Sequence, residues 1–152
     1  MSSKGYNSAK RTTTCYEFVS TGPKGTITKR IEFTPLNKRG YYNVGFGDVM
    51  EDGRVNDIVY SGNQDIVKVM VTVIEVMHDF LKAKPTAKLA FTGSTDDRTR
   101  FYSTILKRYF KTISSEFDVS CLVEDEKKNN TEVEFNPNEN DKYLAFFVKN
   151  KM

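Results

Sequence analysis

The sequence predicts an α+β fold, an antiparallel β-meander packed on a long helix, with the element order ββββ-α-β-α-βββ. Three observations carry this. Residues 15–60 hold short runs that alternate apolar and polar side chains, the period of two that a half-buried strand requires. Residues 61–82 form an apolar-rich run too long for a strand. Residues 96–113 carry an apolar stripe at helical spacing.

The elements follow in order. Residues 1–14 are polar and rich in Ser, Thr, Lys and Arg, and are expected to be a flexible N-terminal arm. Cys15–Ser20 places Tyr16 and Phe18 on one face. Thr21-Gly22-Pro23-Lys24-Gly25 is a turn, because Pro presets φ and the glycines tolerate positive φ. In Thr26–Thr34, Ile27, Ile31 and Phe33 point one way and Thr26, Thr28, Arg30 and Glu32 the other. Tyr41–Asp48 turns Tyr42, Val44 and Phe46 inward, with Gly45 and Gly47 opposite. Glu51-Asp52-Gly53 makes a hairpin turn into a fourth strand, Val55–Tyr60.

Ser61 followed by Gln64 fits a capping box, so the main helix is expected over Ser61–Lys82. Ile66, Met70, Val73, Ile74, Met77 and Leu81 form its apolar face, widened by Val67, Val71, Val76 and Phe80. Ala87–Thr92 is a short strand. The second helix spans Asp96–Ile113, with Phe101, Tyr102, Ile105, Leu106, Tyr109, Phe110 and Ile113 inward and Arg100, Lys107, Arg108 and Lys111 outward. Phe117–Glu124 and Thr131–Phe135 read as a hairpin turned at Asn129-Asn130, and Tyr143–Lys149 as a largely buried last strand. A single domain over residues 15–152 accommodates all of this.

Composition narrows the function classes. A net charge of +3 permits nucleic acid as a partner without arguing for it. The distribution is more telling. Residues 1–40 hold eight Lys/Arg against two Glu, and residues 117–152 hold eight acids against five Lys, so the two ends face different partners or each other. Cys15 and Cys121 lie in no CxxC spacing, which removes zinc and thioredoxin-type motifs and reads as two reduced interior residues. The polar N-terminus lacks a secretory apolar region and no run approaches the length of a membrane span, so a cytoplasmic protein without a membrane partner is expected.

Three segments, YEFVSTGPKGTITKRIEFTPL (Tyr16–Leu36), YNVGFGD (Tyr42–Asp48) and FTGSTDDRTRFY (Phe91–Tyr102), resemble a family of small bacterial proteins of unknown function. The resemblance covers about residues 15–125 and implies a bacterial cytoplasmic setting; it brings no catalytic residues with it.

Two places are candidates for function. At Phe91–Arg100 a strand ends, a small-residue turn follows and a helix begins, so backbone N–H groups gather at the positive end of a helix dipole. An anion site there would use Gly93, Ser94, Thr95, Arg98 and Arg100 and take a phosphorylated or carboxylate small molecule. The competing reading is a plain helix cap, with Ser94 and Asp97 as capping residues and Asp96 and Asp97 repelling an anion. The second place is a basic, hydroxyl-rich strand face of Thr28 and Arg30, with Tyr41 and Asn43 alongside, Lys29 near and Lys24 on the glycine turn. Such a face can track and stack single-stranded nucleic acid. The ββββα order is similar in topology to one repeat of the Whirly and PUR-type single-strand binders, although the second half does not repeat it. A solvated sheet face is the competing reading.

His78 is the only histidine, so a histidine metal cluster is excluded, and a partly buried helix residue is expected. No catalytic residue, metal or cofactor is assigned. The sequence therefore points to a non-catalytic binding or regulatory module with a protein or single-stranded nucleic-acid partner, able to form a homodimer through a sheet edge. The alternative is an enzyme or ligand-binding domain acting at the Gly93–Arg100 turn.

Overall fold

Alternation along residues 15–49 builds the sheet that the first helix covers. The computed structural model describes residues 5–53, 55–56, 65–92, 96–138 and 143–151. The chain divides into two compact units: Met1–Thr34 with Val44–Lys84, and Pro35–Asn43 with Pro85–Met152.

The first unit contains β1 (Ala9–Thr12), β2 (Cys15–Gly22), β3 (Gly25–Pro35 up to Thr34), the later part of β4 (Tyr41–Val49), β5 (Val55–Asn56) and α1 (Ile66–Ala83). The strand order is β1-β2-β3-β4, with β5 antiparallel on β4. β2 and β3 pair in register from Cys15↔Glu32 to Gly22↔Gly25, closed by the Pro23-Lys24 turn, where Gly25 takes φ 85°. Tyr16, Phe18, Ile31, Phe33, Val44 and Phe46 are buried, as the alternation predicts. Phe33 stacks on Phe80 of α1, centroids 4.0 Å apart, and side chains of this size contribute about 1.5–3 kcal/mol each when fully buried.

Lys29 belongs to the same face. It is 0% exposed, and its Nζ lies 2.5 Å from Asp48 Oδ1 and 5.7 Å from the Phe46 ring centroid. The alternation that turns Ile27 and Ile31 inward must turn residue 29 inward too.

Two expectations are corrected here. Residues 9–12 of the expected flexible arm form β1, antiparallel to β2. The segment before β1 is fastened to α1: Tyr6 N–H donates to Thr72 Oγ1 (2.7 Å), Tyr6 O–H donates to Asp65 Oδ2 (2.5 Å), and the Tyr6 ring stacks on Phe18. A Cβ on Gly5 would come within 2.8 Å of Thr72 Oγ1, so this close approach needs glycine. The helix begins at Ile66 rather than Ser61; the Ser61/Gln64 capping box lies outside the described residues, as does most of the Val55–Tyr60 strand. Asp65 holds the N-cap position without a side-chain cap bond, because its Oδ2 accepts from Tyr6 and Ser20 instead. α1 carries many β-branched residues, yet burial of Val69, Val73, Val76, Met77, Phe80 and Leu81 outweighs their weak helix preference.

The second unit contains residues 41–43 of β4, β6 (Lys88–Phe91), α2 (Asp96–Glu116), β7 (Phe117–Glu124), β8 (Asn130–Glu134) and β9 (Tyr143–Asn150). Its order is β4-β6-β9-β7-β8. The expected antiparallel meander gives way to a mixed arrangement: β4 and β6 are parallel (Tyr41↔Lys88, Asn43↔Ala90), which the long connection through α1 permits. β9 lies between β6 and β7, and Tyr143, Ala145, Phe146, Phe147 and Val148 are all buried. α2 runs to Glu116, three residues beyond the expected end, and passes directly into β7. Phe110, Phe135 and Phe146 join α2 to the sheet, with centroids 5.6 Å and 5.7 Å apart. The β7–β8 turn is Asp125–Asn129, not Asn129-Asn130. Asp125 Oδ1 accepts the N–H groups of Lys127 and Asn129, and Lys128 takes φ 62°.

Lys29→Met leaves Asp48 without its partner and is expected to lower unfolding free energy in urea by about 3 kcal/mol, whereas Lys29→Met with Asp48→Val recovers most of that loss. Equal stability of the single and double variants would show that the pair does not act as a unit.

Candidate functional site

The two units present separate candidate surfaces. In the first, the face of β2 and β3 turned away from α1 pairs Glu17 with Arg30, Val19 with Thr28 and Cys15 with Glu32. Glu17 Oε1 accepts from Arg11 Nε (3.0 Å), and Glu17 Oε2 accepts from Arg30 Nε (2.8 Å). Arg30 also reaches Glu32 at 3.6 Å. The hydrogen bond from Arg30, aided by Arg11 against the effect of burial, holds the Glu17 carboxyl below the ordinary carboxylate range. Burial and then the Glu32 charge push the Cys15 thiol up, so it stays protonated and unreactive at neutral pH. A groove of about 470 Å³ lies between the Tyr6–Arg11 segment and Glu17–Val19 of β2, with Thr28 in its wall. Val19 is 46% exposed.

In the second unit, the sheet face turned away from α2 carries one polar network. Lys88 Nζ lies 2.6 Å from Glu132 Oε2, to which Ser120 Oγ also donates (2.9 Å). The same ammonium sits 5.2 Å from the Tyr41 centroid and 5.6 Å from that of Phe147. Lys38 Nζ lies 4.6 Å from the Tyr41 centroid. Tyr41 meets Phe147 edge to face at 5.8 Å, and Asn43 Oδ1 accepts from Thr92 Oγ1 (3.1 Å). Burial works against the Lys88 ammonium, but Glu132 and Tyr41 outweigh it and raise its pKa. Burial likewise opposes the Glu132 carboxylate, and Lys88 and Ser120 bring its pKa down. Both groups are thus charged at neutral pH, and neither is poised as a general base there.

The sequence-predicted residues fall out as follows. Thr28 and Arg30 share the outward face of β3, and Lys24 sits exposed on the β2–β3 turn. Lys29 is on the opposite face, in the core. Tyr41 and Asn43 share a face of β4 in the second unit. Gly93, Ser94 and Thr95 lie outside the described residues; Arg98 and Arg100 are on α2, with side chains that are likewise outside them. His78 is exposed on α1 rather than partly buried. Tyr16 donates to Asp79, the next residue of that helix, and burial followed by this bond raises the pKa of the phenol. Among the described residues, no group of three or more His, Cys, Asp or Glu side chains could hold a metal ion, and no helix is long and apolar enough to cross a membrane.

The Lys88–Glu132–Ser120 network was not anticipated, because no sequence spacing links positions 44 residues apart. The signal that existed was an isolated lysine opening an apolar strand, KLAF.

A family model matches residues 2–151. The chain belongs to DUF6934, a family of unknown function. No curated protein and no solved structure matches it. The match begins ahead of β1, so membership of DUF6934 extends over both units.

The lowered Glu17 and Glu132 pKa values fix a pH dependence. Their stabilisation is complete above the unfolded carboxylate value, about 4.3, and is lost as pH falls through the lower folded values. Glu132→Gln is expected to cost about 1 kcal/mol at neutral pH and to flatten the acid limb of a urea-unfolding series. An acid limb identical to that of the unmodified chain would remove Glu132 from this account.

Proposed function

We propose that this DUF6934 chain is a non-catalytic binding module whose partner is a protein, taken as an extended segment along the groove beside β1 and β2. One observation carries the reading: most of the strand-face cations are already compensated. Arg11 and Arg30 share Glu17, Lys29 is closed on Asp48 in the core, and Lys88 is closed on Glu132. Nucleic acid is held by cations free to displace counterions from phosphates, and these are largely engaged elsewhere. A polypeptide asks for something different, a mixed surface of apolar contact and satisfied hydrogen bonds. The exposed Val19, the Thr28 hydroxyl and the Arg11–Glu17 pair supply it. A bacterial cytoplasmic setting belongs to the same reading, on the resemblance of the three sequence segments.

The test is selection from a phage-displayed library of unstructured peptides. Enriched peptides should bind the unmodified chain and lose binding to Val19→Arg, while Leu36→Arg, a change at another exposed apolar residue, leaves it intact. A library that enriches nothing, or peptides indifferent to Val19→Arg, would sink the groove reading. Salt-dependent retention of a labelled single-stranded oligonucleotide would favour the nucleic-acid partner instead.

A further inference from the structure

We propose that copies of this chain associate head to tail, with the β8 edge of one copy adding to the β1 edge of the next. Both strands end their sheets. Among the described residues β1 pairs with β2 alone and β8 with β7 alone. They are similar in length, four residues against five. All five β8 residues are exposed, as are Lys10, Arg11 and Thr12 of β1. An unpaired edge of this kind is a template for another strand.

Charge selects which strand. β1 reads AKRT and carries two cations; β8 reads NTEVE and carries two carboxylates. Pairing β1 with β1, or β8 with β8, sets like charges across from each other, and β8 on β1 sets opposite ones. Charged edges ordinarily keep sheets apart. Here the two guards have opposite sign, so they block the like pairings and favour the mixed one.

The side chains are placed for it. Arg11 lies on the face of β1 turned away from α1, where it meets Glu17, and only its Nε is engaged there, at 3.0 Å. Its two terminal nitrogens have no partner among the described residues, and its side chain is 59% exposed. Glu134 pairs in register with Ser120 and so shares the face of Glu132, turned away from α2; it has no partner among the described residues. Joining β8 to β1 with the helices of both units on one side puts Glu134 on the face where the Arg11 nitrogens are free, the fork a carboxylate accepts with two bonds. The contact uses different patches on the two copies, so it propagates or closes into a ring instead of stopping at a two-fold dimer. A strand pair this short gives weak association, with Kd on the order of 0.1 mM, and its charge part is screened by salt.

Sedimentation velocity across a concentration series, at low and at high salt, tests this. The unmodified chain should form concentration-dependent oligomers that shrink as salt rises. Arg11→Glu and Glu134→Arg should each weaken association by about tenfold. The double variant, Arg11→Glu with Glu134→Arg, should restore it to within about threefold, because the pair is re-formed with its signs exchanged. Mixing the two single variants should also restore it. A chain that stays monomeric at the highest concentration overturns the proposal, as do single variants that associate like the unmodified chain or a double variant that fails to recover. If Arg11→Glu disturbs the Glu17 pair enough to unfold, the salt series and Glu134→Arg, at an exposed edge position, still decide. The inference stands apart from the groove reading: Val19→Arg should leave self-association unchanged.

Discussion

A lysine ammonium in the middle of β3, shielded from water, persists because Asp48 stands 2.5 Å away. An unpaired charge at that depth would cost several kcal/mol, so the fold holds only in arrangements that bring Lys29 and Asp48 together. That requirement ties β3 to β4. A slip of one residue would turn Lys29 outward, and it would also expel Ile31 and Phe33 from contact with α1. The ion pair is therefore less a source of stability than a specification of register, and the aromatic packing under α1 depends on that register.

The same logic extends over the surfaces. Glu17 serves two arginines, Asp79 takes Tyr16 and lies 3.4 Å from Lys10, and Glu132 serves Lys88 and Ser120. A sequence of moderate net charge thus hides a paired arrangement in which few strand cations remain to bind phosphate. Pairing of this kind is worth little per bridge at an exposed site. Its larger effect is on recognition, since it leaves surfaces that discriminate by shape and by the positions of polar atoms.

Much of the fold was legible because period-two alternation survives in residues that pack directly: Tyr16, Phe18, Ile31, Phe33, Val44 and Phe46 are inward as read. The helical stripe Leu106 to Ile113 and the apolar strand Tyr143–Val148 were equally plain. What escaped has physical causes. β1 is a strand of polar residues whose order comes from its β2 neighbour and the Tyr6 anchor, so no apolar pattern announces it. Lys29 escaped because a lysine at an apolar position reads as surface until its counter-ion is located. The parallel β4–β6 pair and the Lys88–Glu132 bridge are long-range, and local sequence carries no signal of either. The Asp125 turn was misplaced because Asn-Asn is a common turn pair, while the carboxylate that organises this turn lies four residues earlier.

The place of β9 has a consequence for the order in which the polypeptide acquires its shape. The strand that fills the gap between β6 and β7 is the last of the three to leave the ribosome. Until residues 143–150 are made, β6 and β7 face nascent-chain surroundings with open edges, and Leu89, Val119 and Cys121 lack the partners that Phe146 and Val148 later provide on their face. The β7–β8 hairpin can form early because its partners are close in sequence, whereas the second edge of β6, opposite β4, must wait for a strand more than fifty residues downstream. During vectorial synthesis the second unit therefore passes through an interval with sticky edges, in which chaperone capture and misassembly compete with completion of the sheet.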